Sequence, residues 1–416
     1  MSADNNFKYG YLNIHTLISH SASSLNRDNN GLQKSMLFGG VKRARISSQS
    51  LKYAIRNSRY YGKNLGQPTD RTREVLALAS KYVEELSGRY PGELVMKTMS
   101  LLLGKELAEV SEAETSKGAI IPWSIAEVAA VCEEVQAGEK AGLTVKQLAK
   151  NLKEHSEKIH QAFASTVDMA LSGRMTTSGI MEPIDGSMAL AHSFTTHHHE
   201  NQLDWFTAVD SFTNQLEGGK TQAGHIGTQD FATGTFYRYC SLNLEQLNIN
   251  IGKNKEKALD IAAHLVYLLA TVVPSGKQNS FAAFNLAEYV LCSFSDQPIS
   301  LADAFEKPIK MDREGGYMAP SIKALQEHFD TLHQAYGVDN VELEFNLLAD
   351  SEKEQIRQLV DKSDKSDKSD KSKKAEKVAK EAKESSEVQE NSKSDAKSEK
   401  LTIAKLQNWV RKEGAI

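Results

Sequence analysis

The chain is poor in cysteine: Cys132, Cys240 and Cys292 stand alone among its 416 residues. They form no C-x-x-C pair and no framework spacing, which argues against disulfides and structural zinc and leaves buried free thiols as the expectation. No run approaches the roughly 18 consecutive apolar residues of a membrane helix. The polar start, MSADNNFKYG, has no apolar signal segment, so a cytoplasmic location without a membrane partner is expected. Catalytic signatures are missing too. Gly219-Lys220-Thr221 imitates the end of a phosphate-binding P-loop, but the position of the motif's first glycine holds Asn214. No G-x-S-x-G occurs. His197, His198 and His199 are consecutive, so their side chains diverge, and no acid or cysteine stands at helical ligand spacing. His15, His20, His192 and His225 have no neighbour marking an acid/base pair. No metal, cofactor or catalytic residue is expected.

Charge, in contrast, is concentrated. The net charge is -4, yet residues 1–60 hold nine cations (Lys8, Arg27, Lys34, Lys42, Arg43, Arg45, Lys52, Arg56 and Arg59) against Asp4 and Asp28. That segment carries +7 and the remainder therefore -11. A basic segment in an acidic chain is the footprint of a localised polyanion site, whereas uniform charge would mean general solvation. Within it, Phe38 to Arg59 (FGGVKRARISSQSLKYAIRNSR) joins a double glycine, a burst of cations and a serine-capped helix. Ser47 or Ser48 suits the N-cap, leaving the other first-turn amides and the helix dipole for a phosphate. Gln49, Lys52, Tyr53 and Arg56 share one helical face; Leu51, Ala54 and Ile55 share the other.

The length suits two or three domains, or one with large insertions. Tyr11 to Ser19 alternates as a half-buried strand, with Leu12, Ile14 and Ile18 inward and Asn13 and His15 outward. Residues from about 70 to 172 read as helical, including the amphipathic run Val145 to Leu171, which Gly173 would stop. Strands return at Phe236 to Leu244 and Glu288 to Phe294 around a helix from about Glu256 to Val273, which implies one discontinuous sheet. Asp361 to Lys400 opens with DKSDKSDKSDKS and balances 12 lysines against 11 acids, the composition of a solvated, disordered linker. Leu401 to Lys412 regains apolar spacing and predicts a docked terminal helix.

Three further segments could meet nucleic acid. Met175 in SGRMTTSG and the Trp205-Phe206 pair in DWFTAVD could wedge between bases, where stacking is worth about 1 to 3 kcal/mol per base; core packing is the competing account. Pro274-Ser275-Gly276-Lys277-Gln278 is a loop whose amides and lysine could approach a sugar-phosphate backbone, or a generic turn.

Taken in order, NIHTLISH, LNRD, FGGVKRARISSQSLK, DMALSGRMTTSG, DGSMALAH, DWFTAVD, GHIGTQDFATGTFYRY and AAFN resemble the CasC-type backbone subunit of the type I-E CRISPR Cascade complex. The resemblance runs from about Tyr11 to Tyr336 and again over Leu401 to Lys412. It implies an α+β fold: an RRM-like (ferredoxin-like) palm over 1–60 and 174–350, an inserted helical fingers subdomain over 61–173, and a protruding thumb hairpin at about 193–230. The terminal helix, 401–416, would dock on the palm. It further implies a non-catalytic subunit whose copies stack head to tail along CRISPR RNA and leave guide bases free to pair with a target DNA strand, beside other Cascade subunits. A subunit that accepts any guide must hold phosphates and ribose and leave base edges unread. The residues carried over by the match as RNA-binding are Arg27 and Lys34, then Ser47, Gln49, Lys52 and Arg56, then Met175, then Trp205, Phe206 and Thr207 on the thumb, and Lys277 and Gln278. Two departures stand out: Tyr53 occupies a position where family members often carry a cation, and Asp361 to Lys400 looks like an insertion. Two alternatives remain, an RNA-processing endoribonuclease of similar palm topology using His20 with His192, and a single-strand binder without register.

Overall fold

The computed structural model describes residues 6–104, 120–154, 166–175, 181, 183–209, 223–348 and 401–415. The Gly219–Thr221 imitation of a P-loop and the Asp361–Lys400 segment lie outside them. In chain order, strand β1 (Tyr11–Ser23) leads into a hairpin, β2 (Ser35–Phe38) and β3 (Val41–Ile46), and then helices α1 (Ser48–Arg56) and α2 (Arg59–Asn64). Strand β4 (Asp70–Thr72), helices α3 (Val75–Leu86) and α4 (Gly92–Leu103), strand β5 (Ile121–Trp123) and helices α5 (Ile125–Lys140), α6 (Val145–Glu154) and α7 (Val167–Ser172) follow. The chain then forms strands β6 (Met188–Leu190), β7 (Ser193–Thr195), β8 (Gln202–Val209) and β9 (Ala223–Asn243) and helices α8 (Leu244–Asn250), α9 (Lys255–Thr271) and α10 (Gln278–Phe281). Strand β10 (Tyr289–Ser295), helix α11 (Met318–Tyr336), strand β11 (Asn340–Asn346) and helix α12 (Ile403–Arg411) complete it.

Nine strands form one antiparallel sheet in the order β11-β10-β1-β9-β7-β3-β2, with β6 and β8 also paired to β9. β1 is central, and the alternation that predicted a half-buried strand is corrected: both its faces are covered. Leu12, Ile14 and Ile18 pack with α1, α8, α9 and α12. The opposite face, with Leu17, is closed by α11 through Ile322, Leu325 and Phe329. Asn13 and His15 are therefore buried and hydrogen-bonded. Asn13 Oδ1 accepts from the Tyr239 hydroxyl at 2.9 Å, and its Nδ2 donates to Ser295 Oγ at 2.9 Å. His15 lies between Tyr237 and Tyr239, with Nδ1 2.9 Å from the Tyr237 hydroxyl. Alternation reports which residues share a face; it does not report whether a second layer covers that face.

The helical region has its own core, built on Val95 and Met99 of α4, Trp123 of β5, Val131 of α5 and Leu148 of α6. It is not wholly helical: β4 and β5 pair antiparallel, with Asp70 opposite Trp123. α7 ends at Gly173, and residues 155–165 of the expected long run lie outside the described residues. At the other end of the chain α12 docks against α9. Trp409 meets Phe294 with ring centroids 5.3 Å apart, Gln407 Nε2 donates to the Ala263 carbonyl at 3.0 Å, and Arg411 pairs with Asp260 at 2.8 Å. All three cysteines are buried and free.

Candidate nucleic-acid interface

The double glycine is a two-residue hairpin turn. Phe38 pairs with Val41, and Gly39 and Gly40 both have positive φ (59° and 77°), the geometry that a type I′ connection needs. The turn feeds β3 into the sheet and delivers the chain to α1. It also sorts the cation burst, correcting the view of it as one polyanion seat. Arg43 is fully buried and donates to the carbonyls of Thr195 at 3.0 Å and Phe305 at 2.8 Å, with weaker bonds to Phe38 and Glu306. Lys42 is hydrogen-bonded to Asn201 Oδ1. Arg45 is left partly exposed beside Lys34, whose carbonyl accepts from the Arg45 amide at 2.8 Å.

Ser47 is the N-cap of α1, in extended conformation, with its Oγ accepting from Ser50 N at 3.3 Å. Its own amide is held by Asn26 Oδ1 at 2.9 Å, which ties the preceding loop to the helix start. Within that loop Asp28 Oδ1 accepts from Asn30 N and Leu32 N, both at 2.9 Å, and Arg27 pairs with Gln33. Arg27 is thus presented, exposed, on a closed turn. The expectation that the other first-turn amides stay free is corrected: His192 Nδ1 accepts from Ser48 N at 2.9 Å, and the Gln49 amide is the one left open among the described residues. An accepting Nδ1 requires a neutral His192, and burial, with Arg45 and Lys34 assisting, lowers its pKa.

Along α1, Leu51 and Ile55 enter the core, Gln49 and Tyr53 are exposed, and Lys52 and Arg56 are half-buried. Arg56 lies 5.7 Å over the Tyr53 ring, and neither Lys52 nor Arg56 has an acidic partner within ion-pair distance among the described residues. Burial lowers the pKa of Lys52; Cys240 opposes this, Arg71 adds to it and Asp168 opposes it. Burial likewise lowers that of Arg56, with Arg71 acting in the same sense. Unpaired, partly desolvated cations are the electrostatic condition for receiving an anion.

The loop after α9 approaches the same end of α1. A cleft of about 460 Å³ is lined by Arg27, Asp28, Ser50, Pro274, Ser275 and Gly276, among others. A Cβ at Gly276 would stand 2.6 Å from the Leu25 carbonyl oxygen and 2.8 Å from that of Ser24, so the close approach requires glycine. Lys277 follows in the left-handed region (φ 54°) and is partly exposed. Gln278 turns inward: its Nε2 donates to the Pro274 and Ala283 carbonyls at 3.1 and 3.3 Å, which holds the loop closed.

The structure therefore gathers Arg27, Ser47, Gln49, Lys52, Arg56 and Lys277 around one helix, with Lys34 beside them, and places the aromatic candidates elsewhere. Met175 is wholly exposed directly after buried Arg174. Trp205, Phe206 and Thr207 lie on β8, opposite Thr228, Gly227 and Ile226 of β9. Alternation puts Trp205 and Thr207 on one face of this ribbon with Leu203 and Ile226, and Phe206 on the other. Trp205 is 72 % exposed and Phe206 43 %. Residues 210–222, between the two strands, lie outside the described residues. Sequence reasoning missed Arg71 and Asp168; nothing local marks either one, and their pairing spans 97 positions.

A family model described as CT1975-like protein matches residues 12–368. The chain belongs to that family. A solved chain described as "CRISPR RNA-guided surveillance complex, pre-nicking" is 28 % identical with a TM-score of 0.62, over 80 % of this chain and 90 % of that one. A second, described as "CRISPR RNA-guided surveillance complex", is 23 % identical with a TM-score of 0.47, over 81 % and 89 %. A comparison with curated proteins found no match. The mixed α and β fold with its large antiparallel sheet is similar to that of the first of these chains. Among the described residues no helix is long and apolar enough to cross a membrane, and no group of three or more His, Cys, Asp or Glu could hold a metal.

Proposed function

We propose that this chain is the guide-holding backbone subunit of a type I-E-like CRISPR surveillance complex, non-catalytic and cytoplasmic. The observation that carries the reading is the pair of half-buried cations Lys52 and Arg56, without an acidic partner among the described residues, beside the Gln49 amide on a helix that lies within the residues the family model matches. The site offers charge and a backbone amide, the groups that sequence-blind phosphate binding uses. The sheet with β1 and β9 at its centre is the RRM-like palm, the helices α3 to α6 are the fingers, and the β8–β9 ribbon is the thumb. Copies stack head to tail along the guide RNA, each ribbon crossing it, with Met175 and the β8 aromatics beside a displaced base and the intervening bases free for the target DNA strand.

The endoribonuclease alternative draws no support from its proposed pair. His20 is buried, its Nδ1 3.2 Å from Asn285 Oδ1, and burial with Arg238 nearby pushes its pKa down to about 3. His192 is engaged in capping α1. The deciding experiment is purification with the partner subunits followed by analysis of bound RNA. RNA of uniform length with regularly spaced nuclease protection is expected; heterogeneous RNA with featureless protection would point to a general single-strand binder.

A further inference from the structure

We propose that Arg71, oriented by the buried carboxylate of Asp168, is a further phosphate-binding residue, and that the cleft between α1 and the helical region seats a nucleic-acid backbone phosphate. The inference rests on the reading of the chain as a guide-holding subunit and adds a residue outside α1 to its site.

The cleft measures about 490 Å³ and is lined by Tyr53 and Arg56 of α1, Arg71 of β4, and Lys81 and Glu85 of α3, among others. Its charges are not equivalent. Lys81 sits 2.8 Å from Asp70 and 3.8 Å from Glu85, and Asp70 also accepts from the Tyr82 hydroxyl at 2.9 Å. These two acids are occupied by Lys81, which leaves Arg56 and Arg71 as the groups with charge to offer.

Arg71 is held by one nitrogen only. Its Nη2 lies 3.2 Å from both carboxylate oxygens of Asp168, while Nε and Nη1 have no protein partner among the described residues. Asp168 is itself fixed by the Thr69 hydroxyl, by Thr69 N at 3.4 Å and by Ser172 Oγ at 3.4 Å. The carboxylate therefore orients the guanidinium through Nη2 and leaves Nε and Nη1 as charged donors for a ligand, each able to give a phosphate oxygen a charge-assisted hydrogen bond. Arg71 is also close enough to lower the pKa of both Lys52 and Arg56. Three cations thus crowd one carboxylate, an assembly that an incoming phosphate would relieve.

The test is a salt titration of affinity with the full chain. On a single-stranded RNA probe, Arg71→Gln should lower the log-log slope by about 0.7, the contribution of one neutralised phosphate. If the RNA slope is unchanged but falls for a complementary DNA strand added to the RNA-loaded chain, the phosphate comes from the target strand and the site stands. Unchanged slopes in both titrations overturn the proposal. Because Arg71→Gln strips Asp168 of its partner, Arg71→Lys is measured beside it. Lysine keeps the charge but not the separate Nε and Nη1 donors, so affinity should drop at unchanged slope, and wild-type affinity would also overturn the proposal. Lys52→Ala separates the two levels. A lowered slope there with none at Arg71 sinks only this inference, while a wild-type slope in both sinks the guide-holding reading itself.

Discussion

Arg174 and Glu127 form a buried bidentate ion pair, Nη1 lying 2.9 and 2.8 Å from the two carboxylate oxygens, with both side chains essentially shielded from water. The pair pins the segment that ends in exposed Met175 to α5 of the helical core. Glu127→Ala takes from Arg174 the carboxylate that holds its Nη1 in a low-dielectric interior, so it should cost about 3–5 kcal/mol of stability. The double substitution Glu127→Leu with Arg174→Met should regain much of that loss, because both buried charges are then removed together. Denaturant unfolding of the two variants checks it; equal losses would mean that the pair's charges are not what stabilises this junction.

The cation burst divides into a structural and a binding part, and the two should respond differently. Arg43→Ala abandons the carbonyls of Thr195 and Phe305 in the core and should destabilise by on the order of 3 kcal/mol. It should leave the salt dependence of RNA binding unchanged in protein that remains folded. Lys52→Ala should do the reverse, with near-normal stability and a salt slope lower by about 0.7. Paired melting curves and salt titrations decide, and a changed slope for Arg43→Ala would return that residue to the interface.

Acid should weaken the fold through the two buried histidines of β1. Burial pushes the pKa of His15 down to about 3, with His333 adding to it, and that of His20 to about 3 as well. Both values lie below that of an unfolded histidine, so the unfolded chain binds protons first and stability is lost as pH falls from about 6.5 towards 3. Within that window each histidine contributes a slope of about 1.4 kcal/mol per pH unit. His15→Gln should flatten the pH dependence of unfolding free energy near pH 5 by about that amount. An unaltered slope would mean that His15 titrates normally in the folded chain.

What was legible in the sequence was local. A serine N-cap at 47 or 48 and an apolar face of Leu51, Ala54 and Ile55 follow from residues within one or two turns; the structure uses Ser47 and buries Leu51 and Ile55, with Ala54 partly exposed. What was not legible depends on chain brought in from afar. Arg43 looks like its neighbours until the Phe305 carbonyl, 262 positions away, arrives over it. Asn13 and His15 look like an exposed strand face until α11 closes it. The first-turn amide of Ser48 looks free until His192 reaches it from 144 positions on. Gln278 reads as part of a loop that could reach a sugar-phosphate backbone, yet its side chain is buried on the Pro274 and Ala283 carbonyls. Periodicity and capping rules see one element at a time, whereas the site is set by which elements meet.

Gly276 tests that meeting directly. Its backbone presses on the carbonyls of Ser24 and Leu25, and any side chain there meets backbone oxygen rather than a movable side-chain end. Gly276→Ala must therefore push the Pro274–Gln278 loop away from the Arg27 turn and reshape the cleft between them. RNA affinity should fall with little loss of global stability, since the displaced segment is a surface loop. The salt slope should fall by about 0.7 if Lys277 loses its phosphate, and Lys277→Ala should then reproduce the fall without moving the loop. Measured together, the two variants separate a contact made by the lysine from one that needs the loop itself: wild-type affinity in both would exclude the Pro274–Gln278 loop from the guide path.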